Sequence, residues 1–154
     1  MIEIFVDGDA CPVKDEVYDV ASRHSVRVVV VANARMRVPH DLGVEMIVVD
    51  EGPDAADDWI AAEVRPHDVV VTADIPLAAR CLEAGAAVLG TDGRPFTEDM
   101  IGSALATREI KAHIRESGMV TGGPRPQTAR DRSRFSNALH QMVEAALRSA
   151  GGRA

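Results

Sequence analysis

Near its start the chain reads Ile4-Phe5-Val6-Asp7-Gly8-Asp9-Ala10-Cys11-Pro12, an apolar run that ends at one carboxylate and is followed by another two residues later. We interpret residues 2–6 as a first β-strand. In a parallel α/β sheet, the carboxyl end of a strand opens onto the crevice in which ligands bind. Two anions held close together there repel each other unless a cation lies between them. The stretch therefore predicts a divalent metal and chemistry on a phosphate.

Outward from this stretch, strand-like and helix-like segments alternate. The further predicted strands cover 26–31, 44–49, 68–72 and 86–89. The predicted helices cover 13–24, 54–64, 76–84, 98–117 and 130–148, with a Gly- and Pro-rich loop over 118–127. Uninterrupted apolar runs rich in valine are typical of strands that are buried on both faces. The alternation predicts an α/β fold, a three-layer α/β/α arrangement around a mainly parallel sheet of about five strands.

The composition is that of an ordinary globular protein. The chain has 154 residues, of which 46% are hydrophobic and 27% charged. This length predicts a single domain over residues 1–150, with a frayed tail at 151–154. We see no signal peptide, no apolar segment long enough to span a bilayer and, with two cysteines, no disulfide framework. We therefore expect a cytoplasmic protein with no membrane partner.

Charge is distributed unevenly along the chain. Residues 1–106 carry 8 Lys/Arg and 20 Asp/Glu, a net charge of −12, whereas residues 107–134 carry 7 and 3, a net charge of +4. An acidic body with a basic late segment suits an anion that is held over a metal site. A solvated helix surface followed by an ordinary loop would give the same bias, so charge alone leaves both interpretations open.

Glycines and arginines fall together in the late segment. Arg130, Arg132 and Arg134 could grip phosphates, and the pair Gly122 and Gly123 would let the backbone approach a ligand closely. The alternative is a flexible connector that leads into the last helix. We favour a substrate-binding role because the two kinds of residue occur side by side.

Carboxylates collect near the predicted ends of four strands. They are Asp7 with Asp9, Asp54 with Asp57, then Asp74, and finally Asp92. Residues three apart on a helix share a face, so Asp54 and Asp57 can point the same way. Taken singly, Asp54 and Asp74 could cap helices, and Asp92 could belong to a turn. Taken together, carboxylates at successive strand ends are hard to explain by capping alone. Hard oxygen ligands without His or Cys suit Mg²⁺ or Mn²⁺.

Other chemistries find less support in the sequence. The five histidines are scattered and none shows a metal-ligand spacing such as His-x-x-x-His, so we expect them to have surface roles. No Gly-x-x-x-x-Gly-Lys phosphate loop is present, and no Gly-x-Gly-x-x-Gly follows a strand. Nucleotide-dependent phosphoryl transfer and dinucleotide binding are therefore not indicated.

An ordered series of motifs extends over nearly the whole chain. It comprises Val6-Asp7-Gly8-Asp9-Ala10-Cys11-Pro12, Ala32-Asn33, Asp54-Ala55-Ala56-Asp57, Thr72-Ala73-Asp74-Ile75-Pro76-Leu77-Ala78, Gly118 through Gly122-Gly123-Pro124, and Asp131-Arg132-Ser133-Arg134-Phe135. In these motifs the chain resembles the bacterial YaiI/YqxD family. The resemblance implies a PIN-like domain, distantly related to the PIN-type and NYN-type nucleases, which are metal-dependent ribonucleases with acidic sites on a parallel sheet.

The resemblance also implies roles for individual residues. Asp7, Asp54, Asp57 and Asp74 would be the Mg²⁺ or Mn²⁺ carboxylates, Asp9 would be an accessory carboxylate, and RNA would be the partner. Asp58 stands where the family often has a polar neutral residue, so no role is carried over to it.

Three functions remain open at this stage. The first is a Mg²⁺- or Mn²⁺-dependent nuclease acting on RNA. The second is a phosphatase of the haloacid-dehalogenase type that uses Asp7 and Asp9 as nucleophile and acid, although neither Lys14 nor Lys111 supplies the lysine that this class needs near the later acids. The third is a nucleic-acid-binding adaptor with a degenerate site. The complete acidic set argues against degeneracy, and the net charge of −7 argues against strong nucleic-acid affinity.

Overall fold

Five parallel strands form the centre of the protein. The computed structural model describes residues 2–39, 43–50, 52, 54–102 and 128–151. The strands are β1 (Glu3–Asp7), β2 (Arg27–Ala32), β3 (Val44–Val48), β4 (Val69–Val71) and β5 (Ala87–Leu89). They lie in the order β3-β2-β1-β4-β5, and every pair of neighbours is parallel.

Helices cover both faces of this sheet. They are α1 (Lys14–His24), α2 (Ala55–Glu63), α3 (Ile75–Glu83) and α4 (Ala129–Gly151), and residues 98–102 are also helical. The apolar side chains of α1 and α4 pack on one face, and those of α2, α3 and Ile101 pack on the other. The predicted three-layer α/β/α fold with a parallel sheet is confirmed.

Strand β2 shows why this sequence forms a sheet that is buried on both sides. Five of its six residues are buried, and only Arg27 is exposed. Successive side chains of a strand point to opposite faces. Val28 and Val30 accordingly enter the core beneath α1 and α4, while Val29 and Val31 enter the core beneath α2 and α3. An uninterrupted apolar strand thus fills two cores at once.

The centre of the sheet contains a change of winding direction. Strands β1 and β4 are neighbours, but the chain leaves β1 toward α1 on one face and leaves β4 toward α3 on the other face. The two connections diverge and open a crevice at the carboxyl ends of these strands. Such a switch point is where open α/β sheets bind their ligands.

Most element boundaries differ from the predicted ones by one or two residues. Strand β1 includes Asp7, because Asp7 is aligned with Val31 of β2 in the parallel pairing. A 3₁₀ turn at Gly8–Ala10, which the sequence analysis did not predict, follows it. Helix α4 extends to Gly151, the first residue of the predicted tail, and the rest of that tail lies outside the described residues. The predicted helix is seen over 98–102, and the predicted loop at 118–127 lies outside the described residues.

Two further expectations concern the whole chain. Both cysteines, Cys11 and Cys81, are buried and unpaired, as expected from the absence of a disulfide framework. None of the described helices combines the length and the hydropathy needed to cross a membrane.

Candidate metal centre

Thr72 connects the carboxyl ends of β1 and β4. Its side chain is 1% exposed, and its hydroxyl donates to Oδ2 of Asp7 at 3.0 Å while accepting the backbone N–H of Asp74 at 3.0 Å. Asp74 is the N-cap of α3, where its Oδ1 accepts the backbone N–H of Leu77 at 2.8 Å. One oxygen of each carboxylate is therefore fixed. The other oxygen of each makes no hydrogen bond with the residues that the structure describes.

Helix α2 brings further carboxylates to the same edge. It leads from β3 to β4 and packs over β1 and β2 on its way, so its first turn lies near the end of β1. Asp57 is in that first turn, and Asp54 occupies the N-cap position. The side chain of Asp54 makes no capping hydrogen bond. Helix capping therefore explains one oxygen of Asp74 but does not explain Asp54.

The carboxylates of this centre influence one another. Burial raises the pKa of Asp57 to about 6, and the charges of Asp74, Asp7 and Asp54 add to the effect. The pKa of Asp7 is also raised, mainly by burial. The hydrogen bond from Thr72 opposes this rise, and the charge of Asp74 adds to it. The charges of residues from β1, from α2 and from the N-cap of α3 therefore act on one another at this edge of the sheet.

Positive side chains near the site are engaged elsewhere. The guanidinium of Arg80 donates to Oδ1 of Asp58 at 2.8 Å, and the ammonium of Lys14 donates to the carbonyl of Cys11 at 2.9 Å. Without pairing directly with the site, the charge of Arg80 still acts to lower the pKa of Asp57, and that of Lys14 acts to lower the pKa of Asp7. Within the described ranges, no ion pair includes any of the aspartates Asp7, Asp57 and Asp74. Among the side chains that the structure describes, none therefore forms an ion pair that neutralises these three carboxylates.

Asp9 is held by the loop that follows β2. It is exposed, and its two carboxylate oxygens lie 3.0 and 3.2 Å from the backbone N–H of Asn33, which donates to them. The side-chain amide of Asn33 donates to the carbonyl of Asp50 at 3.0 Å. Asn33 thus ties together the chain segments that follow β1, β2 and β3, and it fixes the direction in which Asp9 points.

The donor set fits a hard divalent cation. The available ligands are carboxylate oxygens, without imidazole or thiolate among the converging residues. The aspartates are not tightly clustered. In the described part of the chain, the three potential metal ligands whose ligand atoms all lie within 4.8 Å of one another are instead His24, His140 and Glu144. Mg²⁺ tolerates a wide acidic site, since it keeps several waters and uses one or two carboxylates together with substrate phosphates.

Comparison with known proteins places this sequence in a family. The sequence model described as "Uncharacterized BCR, YaiI/YqxD family" matches residues 5–145. The chain belongs to the YaiI/YqxD family. Among solved structures, no significant match to it is found.

Curated relatives carry the name UPF0178 protein. The chain is 58% identical over 140 residues to one from Bradyrhizobium diazoefficiens, covering 91% of this chain and 84% of the relative. It is 56% identical over 147 residues to one from Caulobacter vibrioides, covering 96% of each. A relative from Paramagnetospirillum magneticum is 55% identical over 148 residues, covering 96% of this chain and 98% of the relative.

The predicted acidic residues of this YaiI/YqxD member fall into three groups. Asp7 and Asp74 lie near enough to Asp57 for their charges to add to the effect of burial on its pKa. Asp54 acts on Asp57 from the exposed start of α2, and Asp9 is turned toward Asn33. Asp58 pairs with Arg80, and Asp92 accepts the backbone N–H of Arg94 in a turn, so neither of these two joins the centre.

The predicted substrate-binding residues are less closely placed. Arg132 lies 3.8 Å from Glu16 of α1 as an ion pair, and Arg130 and Arg134 are exposed on the first turns of α4. Gly93, in the turn after β5, lies against α4, since a Cβ there would come within 3.2 Å of the backbone of Phe135. The start of α4 is therefore at the carboxyl edge of the sheet. Gly122 and Gly123 lie outside the described residues.

Three residues of the site were not assigned roles from the sequence. Thr72 and Asn33 occur in the family motifs, but nothing in those motifs indicates that one hydroxyl bridges two strands or that one asparagine joins three loops through its backbone and side-chain N–H groups. Lys14 was considered in the sequence analysis only as the lysine that a phosphatase would need. In the structure, its charge acts on Asp7. A threonine two residues before a capping aspartate at a strand end was the available signal for Thr72.

Replacing Thr72 by valine tests the bridge between β1 and β4. The change removes the donor to Asp7 and leaves the half-buried N–H of Asp74 without its acceptor, so we expect a loss of about 1–3 kcal/mol in the free energy of unfolding. The pKa of Asp7 should rise further. Urea unfolding and carboxyl NMR titration measure the two effects. Thr72→Ser keeps the hydroxyl and should retain both properties; equal behaviour of the two variants would contradict the assigned bridge.

Proposed function

We propose that this protein is a Mg²⁺- or Mn²⁺-dependent nuclease that hydrolyses phosphodiester bonds of RNA. The observation that supports the proposal is that Asp7, Asp57 and Asp74 lie at the switch point of the sheet, near enough for the charges of Asp7 and Asp74 to act on Asp57. These carboxylates come from β1, from the first turn of α2 and from the N-cap of α3. Repulsion among neighbouring carboxylates opposes folding, and a divalent cation is a ligand that removes the repulsion.

The carboxylates would divide the work according to their surroundings. Asp7 and Asp74 each have one oxygen fixed by a hydrogen bond, so the second oxygen of each is preoriented for a cation. Asp57 supplies the third carboxylate, and Asp54 adds negative charge at the rim. Asp9, whose direction is set by Asn33, would help to orient the attacking water. A bound divalent cation supplies Lewis acidity and lowers the pKa of a bound water.

The same edge offers positive groups for a phosphate backbone. The N-termini of α2 and α3 both lie there, and the unpaired N–H groups at helix starts favour anions. Arg130 and Arg134 are exposed at the start of α4, and Arg132 lies between them on the side of Glu16. We propose that these arginines hold the sugar–phosphate backbone of the substrate, with Gly122 and Gly123 in the preceding segment. A ribonuclease also accords with the PIN-like character that the family resemblance implies.

The two other functions find less support in the geometry. In a phosphatase with Asp7 as nucleophile, Asp9 would act as the acid, but its oxygens are engaged by the N–H of Asn33. Lys14 is the lysine closest to this machinery in the described residues, and its ammonium is bound to the carbonyl of Cys11. A degenerate adaptor would have no need to keep mutually repelling carboxylates.

Metal removal tests the proposal directly. After treatment with EDTA, cleavage of mixed single-stranded RNA should fall by at least about 1,000-fold, because metal catalysis is worth several kcal/mol. Mg²⁺ or Mn²⁺ should restore it.

The substrate panel separates the three functions. Single-stranded RNA, DNA of the same sequence and p-nitrophenyl phosphate are compared at equal protein concentration. Preferential, metal-dependent RNA cleavage supports the proposal. Hydrolysis of p-nitrophenyl phosphate, with a beryllofluoride adduct trapped on Asp7, would replace it with the phosphatase. Salt-dependent RNA binding without turnover would replace it with the adaptor.

A further inference from the structure

A second cluster of metal-ligating side chains lies between α1 and α4. Nε2 of His24 is 2.9 Å from Nδ1 of His140, and the two rings meet edge to face with their centroids 5.1 Å apart. Glu144 is one helical turn beyond His140 and so lies on the same face of α4. One ligand atom from each of the three residues lies within 4.8 Å of those of the other two.

The packing of the two helices sets this arrangement. The His24–His140 contact and the Glu16–Arg132 ion pair both join residues 116 positions apart, so α1 and α4 run parallel and in register. Beneath them, Val20, Leu139 and Val143 are fully buried in the shared core. The histidines are therefore positioned by a packed interface, and both are half-buried.

We propose that His24, His140 and Glu144 form a second metal site that binds a borderline divalent ion such as Zn²⁺. Two imidazoles and one carboxylate are a zinc donor set, and three protein ligands leave a fourth position for water. Zinc–nitrogen bonds of about 2.0–2.1 Å in tetrahedral geometry place the two nitrogens about 3.3 Å apart. The observed pair needs to open by only a few tenths of an ångström.

Binding requires a change of tautomer in one ring. In the hydrogen-bonded pair, one imidazole donates its N–H to the other. When both nitrogens turn their lone pairs to the metal, the donating ring moves its proton to its other nitrogen through solvent. Both imidazoles then remain neutral ligands, which is the state that zinc prefers.

The surroundings favour a cation. His24 is the last residue of α1, where the carbonyl end of the helix carries partial negative charge. Arg23, the nearest cation in sequence, is paired with Asp19 at 3.3 Å. The cluster is also separate from the aspartate centre, because Lys14 and His24 lie at opposite ends of α1, a distance of about 15 Å for ten residue steps along a helix. The inference therefore does not depend on the proposed nuclease.

A zinc titration tests the site. Metal-free protein is titrated with ZnCl₂ in competition with a chromophoric chelator, and the imidazole nitrogens are followed by ¹⁵N NMR. The ring resonances of His24 and His140 should shift together on addition of one equivalent. His24→Gln and His140→Gln should each weaken the Kd of this equivalent by at least about 100-fold, and Glu144→Gln by about tenfold.

Matched controls keep the result interpretable. Glu63→Gln removes an exposed helical glutamate elsewhere, and His67→Asn removes another histidine at a positive φ that asparagine tolerates. Both should keep the wild-type affinity, and circular dichroism should show that all variants are folded. Unshifted resonances of His24 and His140, or an unchanged Kd in both of their variants, would overturn the proposal and leave an ordinary hydrogen-bonded histidine pair.

Discussion

Asp7→Asn is expected to lower the rate of metal-dependent RNA cleavage by about 1,000-fold or more. The carboxylate of Asp7 is at the end of the central strand. The hydroxyl of Thr72 donates a hydrogen bond to it, and the charge of Asp74 acts on it. An amide keeps the shape of the side chain but loses the negative charge that holds a cation. Loss of one well-placed electrostatic group at a reacting phosphate costs several kcal/mol of barrier height. Single-turnover cleavage of a labelled RNA measures the effect.

Asp92→Asn is the matched control for this experiment. Asp92 follows β5 at the same edge of the sheet, but its carboxylate accepts the backbone N–H of Arg94 in a local turn. Removing its charge should leave the cleavage rate within about twofold of wild type, since a single exposed charge contributes little there. If Asp7→Asn retained the same rate as Asp92→Asn, the cleavage would come from a different site or from a contaminating nuclease.

The sequence was sufficient to predict the fold because its signals are local and mutually consistent. A valine-rich run such as that of β2 can only be buried on both faces, and helices between such strands require parallel pairing. Parallel pairing then places every strand end at one edge. This reasoning predicted that Asp7 and Asp74 would lie near each other, although 67 positions separate them. The Thr72 bridge between their strands follows from that placement.

What the sequence could not give depends on the register between distant elements. Asp54 and Asp57 were equivalent by spacing, and only the packing of α2 over β1 and β2 places Asp57 where burial and the charges of Asp74 and Asp7 act on it. The histidines were expected to have surface roles because a contact between two distant helices cannot be predicted from residue spacing. His24 and His140 have no metal-ligand spacing because each helix contributes one, and their contact exists only in the α1–α4 interface. Periodicity identifies which faces of these helices are apolar, but it does not give the axial register in which the two helices pack.

Asp57→Asn is expected to raise the stability of the metal-free protein while reducing RNA cleavage. In wild type, burial and three neighbouring aspartates raise the pKa of Asp57 to about 6, so its ionised form is unfavourable in the folded state. Asparagine removes that repulsion. Allowing for the solvent that still reaches the side chain, we expect a gain of about 1 kcal/mol, or about 4 °C in Tm, at pH 7.5. Thermal unfolding in EDTA measures it.

The effect should depend on pH in a direction fixed by the sign of the pKa shift. The folded-state pKa of about 6 is above the ordinary value of 3.8, so the folded protein binds this proton more tightly than the unfolded chain. The contribution of protonated Asp57 to the stability of the wild type is therefore fully present below pH 3.8 and is lost as the pH rises through about 6. The Tm advantage of Asp57→Asn should be absent near pH 4 and grow to its full size by pH 7.

Saturating Mg²⁺ should reverse the order of stability, because a cation that binds the ionised wild-type site adds about 2.7 kcal/mol at 100 times its Kd. The variant, with a weakened site, should gain less. Asp58→Asn is the adjacent control: it breaks the exposed pair with Arg80 and should raise Tm at no pH. A Tm of Asp57→Asn that equalled or fell below that of Asp58→Asn in EDTA at pH 7.5 would mean that the acidic residues do not repel one another, and the case for a cation site would lose its electrostatic basis.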